Sequence, residues 1–451
     1  MSKPITSGPA GQDLLSRPVK EVEKDELVQL FLSASKPKTQ WFLGVEIELL
    51  SFDRTTRRPA EHASISKILE NLQAATGMEP ERELNGALVG LKGKGPIISL
   101  EPGGQLEYAS APDPSLRRVR DGIIEYCAQL KAASEPENVG FWALGHQPFV
   151  DRDSSPKMPK PRYERMRDYL GQSGTRGLDM MHLTGSVQCA VDFTGEQNLI
   201  DKVRTASRVS PFLSALAAAS PFSNGKANGF RSMRYQIWLD TDEQRAGIWP
   251  EMVDAEGLSP SRYLDRAFRT RPMFFIREGH YLAAENKPFA HYAAEGFQGT
   301  TVTVADLLDH LTTFFPEIRV KSYVELRGAD CLTPEKSAAI AGFWRGILDH
   351  EPTRQEVETR LAKMGWAELR ALQPAVAKIG LDADSPVGKV RDVIRWLVEL
   401  SYRRLADDMP DCSNCVIPLL EQAQSGRSPA DELLEVAEKS SIEKALELVE
   451  I

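Results

Sequence analysis

An α+β fold organised around an antiparallel sheet is predicted by three features of the sequence. Segments rich in alternating β-formers stand at 41–50, 98–108, 183–193 and 318–328. Helical periodicities lie between them without the regular strand–helix–strand rhythm of a parallel sheet. From about residue 352 the pattern is helical and charged to the end.

The elements follow in order. Residues 1–18 are polar and rich in Gly, Pro and Ser, which predicts a loose tail. Leu27, Leu30, Phe31 and Ala34 have the spacing of a short helix. "WFLGVEIELL" (41–50) reads as a strand with Leu43, Val45, Ile47 and Leu49 on one face. "ISLEPGGQLEY" (98–108) reads as β structure interrupted by Pro102-Gly103-Gly104. Asp113-Pro114 has the form of a helix cap and first turn, followed by the apolar stripe Leu116, Val119, Ile123, Cys127 and Leu130. "LTGSVQCAVDF" (183–193) is a third strand. Residues 197–219 form a helix bent or restarted at Ser210-Pro211. "IRVKSYVELRG" (318–328) alternates cleanly as a fourth strand. The chain is expected to divide into the tail (1–18), a main domain (19–350) and a helical region packed on it (351–451), with no internal repeat.

Composition narrows the function. The chain has 451 residues, 41% apolar and 26% charged, and a net charge of −9. That balance is globular, and its sign argues against nucleic-acid or anionic-membrane partners, which need basic surface. No apolar run has the length of a signal peptide core or a membrane span, so the expected compartment is the cytoplasm. Five cysteines do not form a disulfide framework. Cys412 and Cys415 make a CxxC in "DCSNC", but without a second pair or a nearby His it falls short of a zinc site. Incidental thiols and a redox pair both remain open for it.

Side chains an even number apart on a strand share a face. Glu46 and Glu48 therefore oppose Val45 and Ile47, and Gln188 and Asp192 oppose Val187, Cys189 and Val191. Arg319, Lys321, Tyr323, Glu325 and Arg327 oppose Ile318, Val320, Val324 and Leu326, and Glu101 matches Glu107 in parity. One reading is the solvated side of a half-exposed sheet. The other rests on Glu recurring at paired positions. Two carboxylates about 6 Å apart repel by roughly 3 kcal/mol at an effective dielectric near 20. Clustering five of them makes sense chiefly if cations fill the space between. Hard oxygen ligands without a His or Cys cluster suit magnesium, and five carboxylates imply two or three ions. That many ions points to a polyphosphate substrate. "GLKGKGP" (90–96) lacks the spacing of a Walker A loop, so metal, Arg and Lys must hold the phosphates.

"FLGVEIELL", "GLKGKGPIISLEPGGQLEYASAP", "MPKPRYERMRDYL", "GLDMMHLTGSVQCAVDF", "SPFSNGKANGFRSMRYQIWLDTD" and "HLTTFFPEIRVKSYVELRGAD" occur in that order over residues 40–345. Together they resemble glutamate–cysteine ligase of the plant and proteobacterial type, one of the glutamine-synthetase-like carboxylate–amine ligases. The resemblance implies a curved antiparallel sheet forming a cup, with ATP and Mg²⁺ (Mn²⁺ as a substitute) inside it. It implies phosphorylation of the glutamate γ-carboxylate and attack by the cysteine amine. Glu46, Glu48, Glu101, Glu107 and Glu325 match the family's metal ligands, and Gln188 stands where distant relatives place a metal-binding His. Arg327 matches the arginine at the transferring phosphoryl group, which makes Arg327, Glu48 and Glu325 the expected catalytic residues, with Arg327 and Lys321 on the nucleotide. Arg162 and Arg234 match a clamp on the glutamate α-carboxylate, a task suited to a guanidinium fork. His146, His182 and His310 lack mutual metal spacing and read as structural. "HLTG" (182–185) departs from the plant stretch, and Cys331, Cys412 and Cys415 do not reproduce the plant regulatory disulfides. Another amine acceptor, a product feeding ergothioneine rather than glutathione, and a metal-dependent phosphohydrolase on the same cup are the alternatives. The assembly expected is a monomer or homodimer.

Overall fold

Nine strands hydrogen-bond into one sheet in the computed structural model, which describes residues 9–451. They are β1 (Leu43–Asp53), β2 (Glu79–Arg82), β3 (Leu88–Lys92), β4 (Ile97–Leu100), β5 (Leu106–Ala109), β6 (Val139–Trp142), β7 (Ser186–Val191), β8 (Ile318–Val320) and β9 (Val324–Asp330). The order is β8-β9-β7-β1-β5-β4-β3-β2, with β6 on the far half of β1, and every pairing is antiparallel. β1 is central because its alternation serves two faces. Leu43, Val45, Ile47 and Leu49 are buried in the core, while Glu46 and Glu48 turn to the other side. Past Leu49 both faces are covered: Phe52 stacks on Trp142 at 3.7 Å between centroids.

Helices cover the apolar face. The predicted stripe forms α1 of this layer (Leu116–Ser134), with Leu116, Val119, Ile123, Cys127 and Leu130 all buried. Its cap is Ser115, not Asp113 as the sequence suggests: the Ser115 side chain accepts from the Arg118 amide. Asp113 sits two residues earlier, accepting from the Ser115 amide at 2.6 Å and from Arg118 Nε at 2.8 Å. Ser115→Ala should therefore lower the unfolding free energy by about 1 kcal/mol, read from the urea midpoint. The helix expected at 197–219 is one continuous element, α2 (Gly195–Leu216), with Pro211 inside it and no restart. Behind it come α3 (Met233–Trp238) and the helices beyond residue 351. The chain end returns to the sheet: the Ala143 amide donates to the Val449 carbonyl and the Ile451 amide to that of Phe141, both at 2.9 Å.

The structure corrects three further expectations. Of the tail, residues 1–8 lie outside the described residues, but Pro9–Ser16 is helical. It is tied down because Leu14 and Leu15 lie on the core, Arg17 pairs with Glu26, and the Val19 amide donates to the Val302 carbonyl. Residues 318–328 are not one strand but the hairpin β8–β9, turning at 321–323. Val320 stands directly opposite Val324, so the two faces keep their predicted membership across the turn. Beyond Leu326 the alternation breaks at a β-bulge: Leu326 pairs with Cys189 and Ala329 with Val187, so Arg327 and Gly328 both oppose Gln188. Glu101, finally, is not in a strand. It opens the β4–β5 turn, where Gly104 takes a left-handed φ of 87° and its amide returns to the Glu101 carbonyl.

All five cysteines are free and buried, Cys415 lying 3.7 Å from an Arg120 nitrogen. Among the described residues no helix is long and apolar enough to cross a membrane.

Candidate active site

The polar face of the sheet carries two groups of charge with opposite bookkeeping. In the first, β1 places Glu46 opposite Gln188 of β7, and Glu48 opposite Glu107 of β5. Directly opposed strand residues have Cβ atoms about 5 Å apart, so Glu48 and Glu107 crowd one another. Burial pushes the Glu48 carboxyl up to about 7, helped by Glu101 and opposed by Arg234, Ser186 and Arg327. Glu107 is held well above the carboxylate range by burial and then by Glu46, Glu101 and Glu48. Among the described residues no hydrogen bond or ion pair reaches the carboxylates of Glu46 or Glu107. Four acidic side chains from β1, β5 and the β4–β5 turn thus converge, and among the described residues none of them is ion-paired with a cation.

The second group is compensated. Glu325 is 1% exposed at its side chain, and burial works against its ionisation. Arg319, Lys321 and Arg327 outweigh that and hold it well below the usual range. Arg319 Nε and Lys321 Nζ both lie 2.5 Å from its oxygens, and an Arg327 nitrogen lies at 2.9 Å. The same Arg327 nitrogen donates to Gln188 Oε1, Gln188 Nε2 donates to Glu48 Oε1 at 3.0 Å, and Ser186 Oγ donates to Glu48 Oε2 at 2.8 Å. A continuous chain therefore runs from Glu325 through Arg327 and Gln188 to Glu48. Periodicity put Arg319 on this face but gave it no task; its pairing with Glu325 needs the β8–β9 register.

The two expected clamp arginines are buried and approach from different elements. Arg162 donates to Thr312 Oγ1 at 2.9 Å and lies 5.2 Å from the Phe274 ring centroid. Its neighbour Tyr163 donates to the Leu100 carbonyl at 2.8 Å and to Glu101 Oε1 at 3.2 Å, which fixes the turn carboxylate. Arg234 instead spends its terminal nitrogens on backbone, on the carbonyls of Arg327 at 2.8 Å and Gly328 at 3.2 Å. His146, His182 and His310 are buried at separate places and kept neutral, their pKa values lowered first by burial.

A cavity of about 260 Å³ adjoins the carboxylate group at Glu46, Gln188 and Glu325, walled by Phe42, Ile97, Ala109 and Tyr323, with Lys36 and Asp192 on its rim. Lys36 pairs with Asp192 at 2.9 Å, and the Lys321 ammonium stands 3.3 Å from the Tyr323 hydroxyl. A wider groove of about 800 Å³ lies elsewhere, against residues 240–244, and holds none of these side chains.

The donor chemistry of the first group suits hard divalent cations: carboxylates only, mutually repelling, and supplied from three directions. Among the described residues no three His, Cys, Asp or Glu side chains are disposed to hold a metal ion as they stand. Glu325 fits less well than the other four, because both its oxygens already face cations.

Comparison with known proteins agrees with this arrangement. The family model described as glutamate–cysteine ligase family 2 matches residues 42–448. The chloroplastic glutamate–cysteine ligase of Medicago truncatula is 35% identical over 418 residues, covering 92% of this chain and 82% of that protein. Glutamate–cysteine ligase B of Oryza sativa subsp. japonica is 36% identical over 386 residues, 85% of this chain and 77% of the relative. The solved glutamate–cysteine ligase of Francisella tularensis, in complex with AMP, shares the fold at a TM-score of 0.57 and 13% identity, over 91% of this chain and 87% of its own. A sheet whose polar face gathers these carboxylates and arginines, matched along nearly its whole length, places the chain in glutamate–cysteine ligase family 2.

Proposed function

We propose that the chain joins the γ-carboxylate of glutamate to the amine of cysteine with ATP, giving γ-glutamylcysteine, ADP and phosphate, the first step of glutathione synthesis. One observation carries this reading: four carboxylates that no described residue pairs with a cation lie beside a cationic group centred on Arg327, with a pocket of about 260 Å³ along their edge. Phosphoryl transfer needs placed charge more than a protein nucleophile.

Glu46, Glu48, Glu101 and Glu107, with Gln188 alongside, would hold magnesium, which would supply positive charge to neutralise the phosphates. The base of ATP would take the pocket walled by Phe42, Ile97 and Tyr323. In the first step a γ-carboxylate oxygen of glutamate bonds to the γ-phosphorus, and the bond from that phosphorus to the β-bridging oxygen breaks, releasing ADP. Arg327, already aimed along this face by Glu325 and Gln188, stabilises the charge spread over the moving phosphoryl group. Next the cysteine nitrogen bonds to the acyl carbon, the carbon–oxygen bond to phosphate breaks, and the amine's proton passes to the departing phosphate. Arg162, buried next to the Tyr163 that holds Glu101, would bind the glutamate α-carboxylate.

The test is ADP release in the presence of magnesium, with the peptide product identified by mass. Sustained ADP release should require glutamate and cysteine together. Release without either amino acid would instead support a phosphohydrolase. Ala109→Phe, which fills the pocket beside Glu46, should raise KM for ATP about tenfold, or 1.4 kcal/mol of binding, and leave KM for glutamate unchanged.

A further inference from the structure

The bulge in β9 leaves backbone groups that the sheet ladder does not satisfy, and the side chains that take them up surround Arg327. Where two residues oppose one, local ladder bonds are lost and the strand is re-aimed. The carbonyls of Arg327 and Gly328 are accounted for by side chains: Arg234 donates to both, and Ser214 Oγ donates to the Gly328 carbonyl at 3.0 Å. On the β8 side the Arg327 amide donates to the Glu317 carbonyl at 3.0 Å.

The support beneath is rigid and buried. Ser214 and Ser210 stand one turn apart on α2, and Ser210 donates to the Glu317 carboxylate. That carboxylate also receives Tyr235 Oη at 3.2 Å and Gln373 Nε2 at 3.2 Å. Gly328 lies tight against this group. A Cβ there would come within 2.5 Å of Ser210 Oγ, 2.8 Å of Glu317 Oε1 and 3.0 Å of Ser214 Oγ. Only a residue without a side chain lets the bulge sit this close to the helix. The bulge also alters facing: Asp330, paired with Ser186, accepts from Ser220 Oγ at 2.6 Å and Ser232 Oγ at 2.8 Å, and its carboxylate stands 4.0 Å from Arg234.

We propose that Arg234, Ser214 and Gly328 are positioning residues that fix the β9 bulge and thereby aim the Arg327 guanidinium. This rests on the reading that Arg327 meets the transferring phosphoryl group. It gives Arg234 a different task from the carboxylate clamp that resemblance implies. Two of its donors hold backbone, and its buried Nε–H has no hydrogen-bond partner among the described residues. A misplacement of about 1 Å in such a group costs on the order of a hundredfold in rate.

The experiment uses full-length Ser214→Ala, Gly328→Ala, Arg234→Lys and the pair Gly328→Ala/Ser210→Ala. Ser214→Ala should lower kcat about fivefold, the loss expected for one neutral hydrogen bond. Gly328→Ala should lower it about a hundredfold. Arg234→Lys, which keeps charge but loses the fork, should fall between them, with KM for glutamate and ATP within about twofold of wild type in all three. Removing the Ser210 hydroxyl should restore part of the kcat lost in Gly328→Ala. Wild-type kcat in both Ser214→Ala and Gly328→Ala would overturn the proposal. So would a rise in KM for glutamate at unchanged kcat in Arg234→Lys, the result a carboxylate clamp predicts. A crystal structure of Gly328→Ala gives a readout independent of ligase activity. Arg327 should no longer reach Gln188, and an unmoved Arg327 would overturn the proposal even if the wild type formed no γ-glutamylcysteine.

Discussion

Replacing Arg327 by alanine is expected to lower kcat about a thousandfold while leaving the protein folded, the scale seen when a preorganised donor to developing charge is removed. The fold should survive because Glu325 does not depend on Arg327 alone. Arg319 and Lys321 each stay within 2.5 Å of its oxygens, so no unpaired carboxylate is left buried. What disappears is the one cation that links the compensated group to Gln188 and, through it, to Glu48. Lysine should recover little, since a compact, strongly hydrated ammonium lacks the further planar donors that a guanidinium offers to phosphoryl oxygens. Steady-state kcat measured beside a thermal melt separates the two effects. A melt shifted far downward would mean that Arg327 braces the sheet rather than serving the reaction.

Glu107→Gln should act in opposite directions on stability and on turnover. Glu107 has burial and three carboxylates, Glu46, Glu101 and Glu48, against its ionised form, and among the described residues no cation is paired with it. A neutral amide of the same shape removes repulsion of roughly 3 kcal/mol per neighbour at about 6 Å, part of which proton uptake already relieves in the wild type. In chelator the variant should therefore melt a few degrees higher than wild type. Turnover should fall about a hundredfold, with a higher magnesium concentration needed for half-maximal rate, because a ligand has been lost. A variant that melts lower in chelator would show that Glu107 is held by structure rather than opposed by its neighbours.

The alternation of "GVEIELL" and "SVQCAV" was enough to place Glu46, Glu48 and Gln188 on one face, because a strand with one buried side has its register dictated by its apolar residues. The carboxylate group could be read for the same reason. What escaped the sequence depended on partners remote in the chain. Strict alternation in "IRVKSYVELRG" hides a turn, since a hairpin whose strands pair Val320 with Val324 preserves parity across the bend. The bulge at Arg327-Gly328 had only the glycine as a signal, and its meaning lies in Ser210, Ser214 and Glu317. Asp113 and Ser115 both suit a helix cap, and only the bond from the Arg118 amide to the Ser115 hydroxyl decides between them. The segment Pro9–Ser16 looks disordered by composition, yet Leu14 and Leu15 find the core.

The central claim is that this sheet face activates a carboxylate by phosphorylation, and isotope transfer tests it most directly. Glutamate carrying ¹⁸O in its γ-carboxylate is converted with ATP, magnesium and cysteine, and the released phosphate is analysed by mass. One labelled oxygen in each phosphate, at a yield equal to the γ-glutamylcysteine formed, is the predicted result. Unlabelled phosphate accompanying the same peptide would contradict it.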